Sequence, residues 1–272
     1  MSQVIVVTSG KGGVGKTTTT ANLAAGLAGL GSRTVAIDFD VGLRNLDLVM
    51  GCERRVVYDL VNVVRGEASL RQALIKDKRL ETLYVLPASQ TRDKDALTLE
   101  GVGRVLDELK AAGFDYIICD SPAGIERGAT LAMRYADAAI IVTNPEVSSV
   151  RDSDRIIGLL DAKTVKAERG ERREKHLLVT RSSPGRAARG EMLTIEDVLE
   201  ILSTPLLGII PESEEVLRAS NIGSPVTLAN SLSSPARAYF DAAARLRGEK
   251  VPMVVPSDGR GLLNKLFGRK AA

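Results

Sequence analysis

A glycine-rich segment near the start of the chain, residues 9–20 (SGKGGVGKTTTT), has the residue types and the spacing of a phosphate-binding loop. Its glycines allow backbone N–H groups to close around phosphate oxygens, and the helix that follows presents the positive end of its dipole. Lys16 is predicted to neutralise the β- and γ-phosphates, and the Thr17 hydroxyl to ligate Mg²⁺. The predicted nucleotide-binding residues of this loop are Gly10, Lys11, Gly12, Gly13, Val14, Gly15, Lys16, Thr17 and Thr18.

Three carboxylates come at the ends of apolar segments with strand character. Asp38 and Asp40 close TVAIDFD, and Asp120 closes DYIICD. In an α/β sheet, the carboxyl ends of the strands share one edge with the phosphate loop. We expect Asp38 and Asp120 to belong to the magnesium shell, and Asp40 to orient the attacking water or accept its proton. The chemistry indicated is Mg²⁺-dependent hydrolysis of a nucleoside triphosphate.

The base of the nucleotide is inferred from a missing pattern. No strand end carries the Asn/Thr-Lys-x-Asp pattern that recognises guanine, and the one Asn-Lys pair, Asn264-Lys265, lacks the Asp. ATP is therefore the predicted nucleotide. The strand ends at Arg181 and at Pro211 and Glu212 are the predicted adenine contacts.

Short apolar runs that alternate with helical patterns must position these residues. Fully apolar strands separated by helices predict an α/β fold with a buried parallel sheet covered on both faces. The predicted strands are 3–8, 34–38, 82–87, 115–120, 138–143, 176–180 and 205–210. The predicted helices lie near 15–30, 56–65, 98–112, 128–135, 148–162, 194–203 and 235–247.

Length and composition agree with one large α/β domain or two small ones. The chain has 272 residues, and its formal net charge of +3 is too small to indicate a general polyanion binder. Two cysteines, Cys52 and Cys119, cannot form a disulfide framework, so a reducing compartment is expected. The sequence shows no secretory signal and no apolar run of membrane-spanning length, and it predicts a cytoplasmic protein.

The lysine directly after the first glycine of the loop, Lys11, makes KGGVGKT the deviant form of the Walker A box. The chain thereby resembles the deviant Walker A family of partitioning and positioning ATPases, which also includes nitrogenase iron protein and arsenite-pump ATPases. The resemblance implies a three-layer P-loop NTPase with a mostly parallel central sheet flanked by helices. It also implies a dimer that encloses two nucleotides. The signature lysine of one subunit reaches the phosphates of the other, so Lys11 joins Lys16 and Asp40 as a catalytic residue.

Further segments extend the resemblance over nearly the whole chain. They are similar to the branch of the family that positions the cell-division septum. Those segments are 37–51, 116–129, 145–160, 177–193 and 216–226. The resemblance implies that Asn45 lies near the γ-phosphate in the dimer and that Asp152 lies in a partner-binding helix. It also implies two protein partners, the division inhibitor MinC and MinE, a topological regulator that stimulates hydrolysis.

The end of the sequence, GLLNKLFGRKAA, is predicted to form a short basic amphipathic helix. Ten helical residues span about 15 Å, too short to cross a membrane core of about 30 Å. The pattern alone fits both an in-plane membrane helix and a helix docked on the protein's own core, and the resemblance implies the membrane. The predicted membrane residues are Leu262, Leu263, Lys265, Leu266, Phe267 and Arg269.

These predictions combine into a switch with three parts: an ATPase domain over residues 1–247, a Pro/Gly-containing linker over 248–260 and the membrane-targeting helix over 261–272. ATP would drive formation of a homodimer whose paired helices bind an anionic membrane surface, and hydrolysis would release it. The expected location is the cytoplasm, with peripheral binding to the inner face of the cell membrane in the ATP-bound state.

Three alternatives remain at the sequence level. A DNA-partition ATPase shares the deviant loop and would use basic surface such as 181–190, although nucleic acid is not the predicted main partner. A flagellar-number ATPase also carries a C-terminal amphipathic helix. An iron–sulfur electron donor would need exposed loop cysteines in each subunit.

Overall fold

The computed structural model describes residues 2–90, 96–124, 127–162 and 174–255. The predicted amphipathic helix, most of the basic segment 163–175 and the end of the predicted linker lie outside these residues. No helix in the described part of the chain combines the length and the apolarity needed to cross a membrane.

The described residues form one sheet of eight strands in the order β3-β4-β2-β5-β1-β6-β7-β8. All neighbouring strands are parallel except β3 and β4, so the sheet is mostly parallel. The strands are β1 (Gln3–Thr8), β2 (Thr34–Asp38), β3 (Ile75–Lys76), β4 (Leu83–Leu86), β5 (Tyr116–Asp120), β6 (Ala138–Thr143), β7 (Glu174–Ser182) and β8 (Leu206–Pro211).

The central strand β1 shows why the strand sequences are apolar throughout. Successive side chains of a strand point to opposite faces, and both faces of this sheet are covered. Val4 and Val6 pack into the core on one face, and Ile5 and Val7 into the core on the other. The fold class predicted from the sequence, an α/β three-layer P-loop architecture, is confirmed.

Helices cover both faces of the sheet in the described residues. They are α1 (Lys16–Gly29), α2 (Leu46–Met50), α3 (Leu60–Val64), α4 (Leu70–Ala73), α5 (Leu99–Ala111), α6 (Arg127–Arg134), α7 (Val147–Ala162), α8 (Pro184–Ala188), α9 (Ile195–Leu202), α10 (Glu214–Asn221), α11 (Val226–Ala229) and α12 (Ser234–Leu246). Helix α12 packs against α1 and β8. The phosphate-loop helix therefore lies in the interior, between the sheet and α12.

Candidate nucleotide-binding site

The carboxyl ends of the central strands meet at one edge of the sheet, and the predicted site residues lie there. Asp38, the last residue of β2, pairs in register with Asp120, the last residue of β5. The glycine-rich loop leaves the neighbouring strand β1 at the same edge. Parallel pairing thus brings together residues that are 82 positions apart in the sequence.

The loop enters α1 without a side-chain cap. Gly15 precedes the helix with φ 97°, a left-handed conformation that glycine adopts without strain, and it offers no side chain to the first N–H groups. The first turn contains no acidic residue. The loop is held from outside, because the Thr180 hydroxyl at the end of β7 donates to the Val14 carbonyl over 2.7 Å. These features suit an anion at the start of α1.

Lys16 is the buried cation of the site. The residue is only 8% exposed, and its Nζ donates to Ser9 Oγ over 3.0 Å. Burial lowers the pKa of Lys16, and the negative charges of Asp120 and Asp40 act in the opposite direction. A desolvated ammonium beside acids interacts strongly with phosphate charge, because little water screens it.

The carboxylates of Asp38 and Asp120 are fully buried and close enough to affect each other. Asp38 accepts hydrogen bonds from the backbone N–H groups of Asp40 (2.8 Å) and Leu46 (3.2 Å). Burial and the charge of Asp120 nevertheless raise the pKa of Asp38 well above its usual range. Burial also raises the pKa of Asp120 to about 6, against hydrogen bonds from Thr17 and Thr20 and the charge of Lys16.

This donor set fits Mg²⁺ bound together with a nucleotide. Mg²⁺ in such sites usually takes one or two carboxylates, and phosphate and water oxygens complete its shell. The Thr17 hydroxyl and the Asp38 and Asp120 carboxylates are oxygen donors of this kind. A cation bound there would offset the burial and the neighbouring negative charges that raise both pKa values. Within the described residues no group of three His, Cys, Asp or Glu side chains is arranged to hold a metal.

A cleft of about 640 Å³ opens beside the loop and α1. Most of the predicted nucleotide contacts line it, and Asn45 and Asp40 lie on the wall that leads from β2 into α2. Asn45 begins α2 without using its side chain as a cap in the described structure. The predicted residues that line the cleft are Gly12, Gly13, Gly15, Lys16, Thr17, Thr18, Asp40, Asn45 and Arg181.

Lys11 lies in the first half of the phosphate loop, and its side chain is directed towards Glu146 and Ser148, away from the cleft. Its side chain is 43% exposed, and among the described residues Lys11 is not part of the cleft lining. Its Nζ lies 3.4 Å from Glu146 Oε2 and donates to Ser148 Oγ over 3.2 Å. Glu146 directly precedes α7 and Ser148 lies in its first turn, so Lys11 contacts the start of a helix outside its own cleft.

Asp152, predicted as a partner-binding residue, supports the loop from behind. A Cβ on Gly10 would lie 2.2 Å from the Asp152 carbonyl oxygen and 2.4 Å from its Cβ, so only glycine fits against this turn of α7. The phosphate loop and α7 are therefore in direct backbone contact. This contact does not test whether Asp152 binds a partner protein, so its partner-binding role stays a prediction.

The predicted adenine contacts separate in the structure. Arg181 lines the cleft and holds a left-handed backbone with φ 54°. Pro211 lines a different cleft beside α12, and the Glu212 carboxylate accepts from Arg186 over 3.3 Å. In the described part of the chain, Pro211 and Glu212 do not line the cleft that contains the phosphate loop, so their contact with adenine remains a prediction.

Several cleft residues were missed by the sequence predictions. Leu48 and Val49 of α2 and Ser220 and Asn221 of α10 form walls of the cleft, together with Leu43 and the loop Ser121–Ala123. The loop directly follows Asp120, so its position was available from the sequence. Helices α2 and α10 are short, and none of their residue types indicates that they would contact a ligand.

The two cysteines argue against the iron–sulfur alternative. Cys52 is 5% exposed and Cys119 fully buried, and both are free. Burial raises the pKa of Cys52 to about 12 and that of Cys119 further still. Exposed thiolates able to share a cluster across a dimer are not what these positions offer.

Known proteins that are similar to this chain also bind nucleotides. Residues 5–226 match the family described as "CobQ/CobB/MinD/ParA nucleotide binding domain". The septum site-determining protein MinD of Escherichia coli (strain K12) is 63% identical over 270 residues, which cover 98% of this chain and 100% of that protein. The chain belongs to the MinD family.

Solved structures of MinD proteins have the same fold as this MinD-family chain. MinD in the "MinC:MinD cell division protein complex" of Aquifex aeolicus matches with a TM-score of 0.84 at 42% identity, over 94% of this chain and 100% of that one. MinD "complexed with Mg-ADP" from Pyrococcus horikoshii matches with a TM-score of 0.79 at 31% identity, over 90% and 96% of the two chains. The family is that of nucleotide-binding ATPases, as the phosphate loop predicts.

Proposed function

We propose that this MinD-family chain is an ATP-dependent dimerising ATPase that positions the cell-division septum by binding and leaving the inner membrane. The observation that carries the proposal is that the two lysines of the phosphate loop lie in different environments. Lys16 is buried in the cleft of its own chain, whereas Lys11 is exposed and directed away from that cleft. The exposure of Lys11 supports the proposal that this cation reaches the nucleotide of a second subunit.

In the proposed reaction, the chain's own residues bind and orient MgATP. Backbone N–H groups of the loop and the Lys16 ammonium hold the phosphates, while Thr17, Asp38 and Asp120 supply oxygen ligands. When bound, Mg²⁺ neutralises charge on the phosphate oxygens. Asp40 lines the cleft and positions the attacking water, and Asn45 approaches the γ-phosphate once the dimer forms.

Dimerisation would complete the site, because the charge that develops on the transferring phosphoryl group needs an additional cation. Lys11 of the second subunit is proposed to supply it. Hydrolysis then depends on association. The Mg-ADP complex of the Pyrococcus relative supports the nucleotide and the metal.

The predicted C-terminal helix links the dimer to the membrane. Complete burial of its four large apolar side chains would contribute roughly 6–12 kcal/mol, and ordering about ten residues costs on the order of 10 kcal/mol. One helix is therefore a marginal anchor, and two helices on one dimer gain about 10²–10⁴ in avidity. Its cations, such as Lys265 and Arg269, favour anionic lipids.

We propose two protein partners for this chain. The Aquifex complex of MinD with MinC supports a division inhibitor of the MinC type as a partner of this chain. MinE, as a regulator that stimulates hydrolysis, is proposed from the family alone. The 63% identity to a septum site-determining protein over nearly the whole chain favours this function over DNA partition and over control of flagellar number.

Co-sedimentation with vesicles tests the proposal directly. The intact chain and a chain ending at residue 260 are mixed with phosphatidylcholine vesicles containing phosphatidylglycerol, in the presence of ATP, ADP or no nucleotide. The intact chain is expected to sediment with ATP only, and the shortened chain under no condition. Equal binding of the intact chain in all three conditions would refute the switch. In a parallel co-sedimentation with DNA and ATP, binding of DNA but not of vesicles would favour the partition alternative.

A further inference from the structure

The chain stays attached to the body beyond the end of its last helix. Arg245, one residue before the end of α12, donates from Nη1 to the Leu207 carbonyl of β8 over 2.8 Å. The same guanidinium donates from Nε to the Val251 carbonyl over 3.0 Å and from Nη2 to the Pro252 carbonyl over 2.5 Å. One side chain thus connects the outermost strand with residues 251–255, which we call the C-terminal segment.

The C-terminal segment runs along β8 in the direction of the strands. It starts beside Leu207, near the amino end of β8. Met253 and Val254 then line a cleft of about 480 Å³ that also contains Pro211, the last residue of β8. Val255 reaches a second cleft of about 290 Å³, lined by residues that follow the carboxyl end of β7. The segment therefore ends at the edge of the sheet that carries the nucleotide cleft.

We propose that Arg245 is a positioning residue that fixes the point from which the predicted membrane helix leaves the body. This inference rests on the membrane function proposed above. Three carbonyl groups of two separate segments converge on one planar guanidinium, whose rigid fork of donors suits such a bridge. Without the bridge, the tether to the membrane helix would begin near residue 248, where α12 has ended, and not after Val255.

The expected effect follows from tether length. The sequence predicts a linker over 248–260, of which the part after Val255 is about five residues and the whole about thirteen. The effective concentration of the second helix of a dimer falls roughly as the −3/2 power of tether length. Loss of the Arg245 bridge should therefore weaken vesicle binding of the ATP-bound dimer about four-fold.

Arg247 offers a matched control on the same helix end. It donates from Nη1 to the Leu30 carbonyl and lies 3.4 Å from Glu249 Oε1, so it also joins α12 to the body through a backbone carbonyl. It has no hydrogen bond to residues 251–255 within the described structure. Arg247→Met removes an arginine that directly follows the same helix and leaves the Arg245 bridge intact.

The first test compares Arg245→Met, Arg245→Lys and Arg247→Met by co-sedimentation with phosphatidylglycerol-containing vesicles and ATP. We expect both Arg245 variants to bind about four-fold more weakly, because lysine cannot span three carbonyls, while ATPase activity without vesicles is retained. Arg247→Met should bind like the unmodified chain. Unchanged or tighter binding of the Arg245 variants would overturn the inference.

A second test reads the position of the segment without any membrane. Val255→Cys and Ala188→Cys place two thiols on the same cleft, and the natural cysteines are buried. A short bis-maleimide should join the pair in the parent and in Arg247→Met, and much less in Arg245→Met. Equal cross-linking in all three would refute the inference. If the unmodified chain binds vesicles equally with and without ATP, the membrane proposal fails, and this cross-link alone decides the role of Arg245.

Discussion

The two halves of the phosphate loop place their lysines in opposite environments. Around Lys16 the loop is buried: its ammonium rests on Ser9 and lies near the acids Asp120 and Asp40. Around Lys11 the loop is exposed, and that ammonium contacts Glu146 and Ser148 at the start of α7. The same residue type, five positions apart, is thus used once inside the site and once on its outer surface.

The difference shows which contacts are permanent. A cation enclosed by its own chain is costly to remove from its anionic surroundings, and it serves a ligand bound there. An ion pair with both partners about half exposed contributes about 0–1 kcal/mol, so Lys11 can leave Glu146 at little cost. We infer that Lys16 determines nucleotide binding, and that Lys11 determines the response of a second chain.

Among the variants that separate the roles of the two lysines, Lys16→Ala should have the largest effect, a loss of nucleotide affinity. It removes a charge-assisted contact to phosphate from a desolvated position, so nucleotide affinity should fall about 100-fold or more. Titration of a fluorescent ATP analogue measures this loss. Lys11→Ala is the matched control and should lose less than about ten-fold in the same titration; equal losses in both variants would remove the distinction between the two lysines.

Gly10→Ala should disturb both halves at once, because the added methyl group would overlap the Asp152 backbone of α7. Overpacking of this kind costs about 1–3 kcal/mol, which corresponds to a decrease in Tm of several degrees for a domain of this size. Thermal unfolding without nucleotide provides the measurement. Gly12→Ala is the control, since a Cβ there meets no described atom within 4 Å, and its Tm should change little. A Gly10→Ala protein as stable as Gly12→Ala would show that the contact with α7 is not required.

Glu146→Gln should have the smallest effect. It weakens an exposed ion pair of Lys11, so ATP-dependent dimerisation should become tighter by no more than about five-fold, with nucleotide affinity unchanged. Sedimentation velocity over a concentration series measures the dimerisation constant. A large loss of dimerisation would mean that Glu146 itself contacts the second subunit.

Most of the fold was predictable from the sequence because the strands are apolar on both faces. Segments such as 3–8 and 138–143 match β1 and β6 residue for residue. The strand β3 was not predicted, since two residues show no periodicity. Helix α2, of five residues, was missed for the same reason. Val251 and Pro252, in the segment predicted as a linker, accept hydrogen bonds from Arg245, and no local pattern reveals that one side chain also bonds the distant Leu207 carbonyl.

The site was predictable where chemistry and chain position coincide. The loop and the strand-end acids Asp38 and Asp120 lie together as expected, because parallel pairing forces them to one edge. The far walls of the cleft, on α2 and α10, depend on tertiary packing of short helices and could not be read from residue types. The contact of Lys11 with Glu146, 135 positions away, was equally invisible in the sequence.

The proposed role of Lys11 across the dimer interface is tested most directly by the molar mass of Lys11→Ala in ATP, measured by light scattering while nucleotide occupancy is determined on the same sample. The unmodified chain is expected to become a dimer with ATP and to remain a monomer with ADP. Lys11→Ala should be occupied by ATP and yet remain a monomer, because only the contribution to the second subunit is removed. A dimer of ATP-bound Lys11→Ala would contradict the proposal that this lysine acts across the interface.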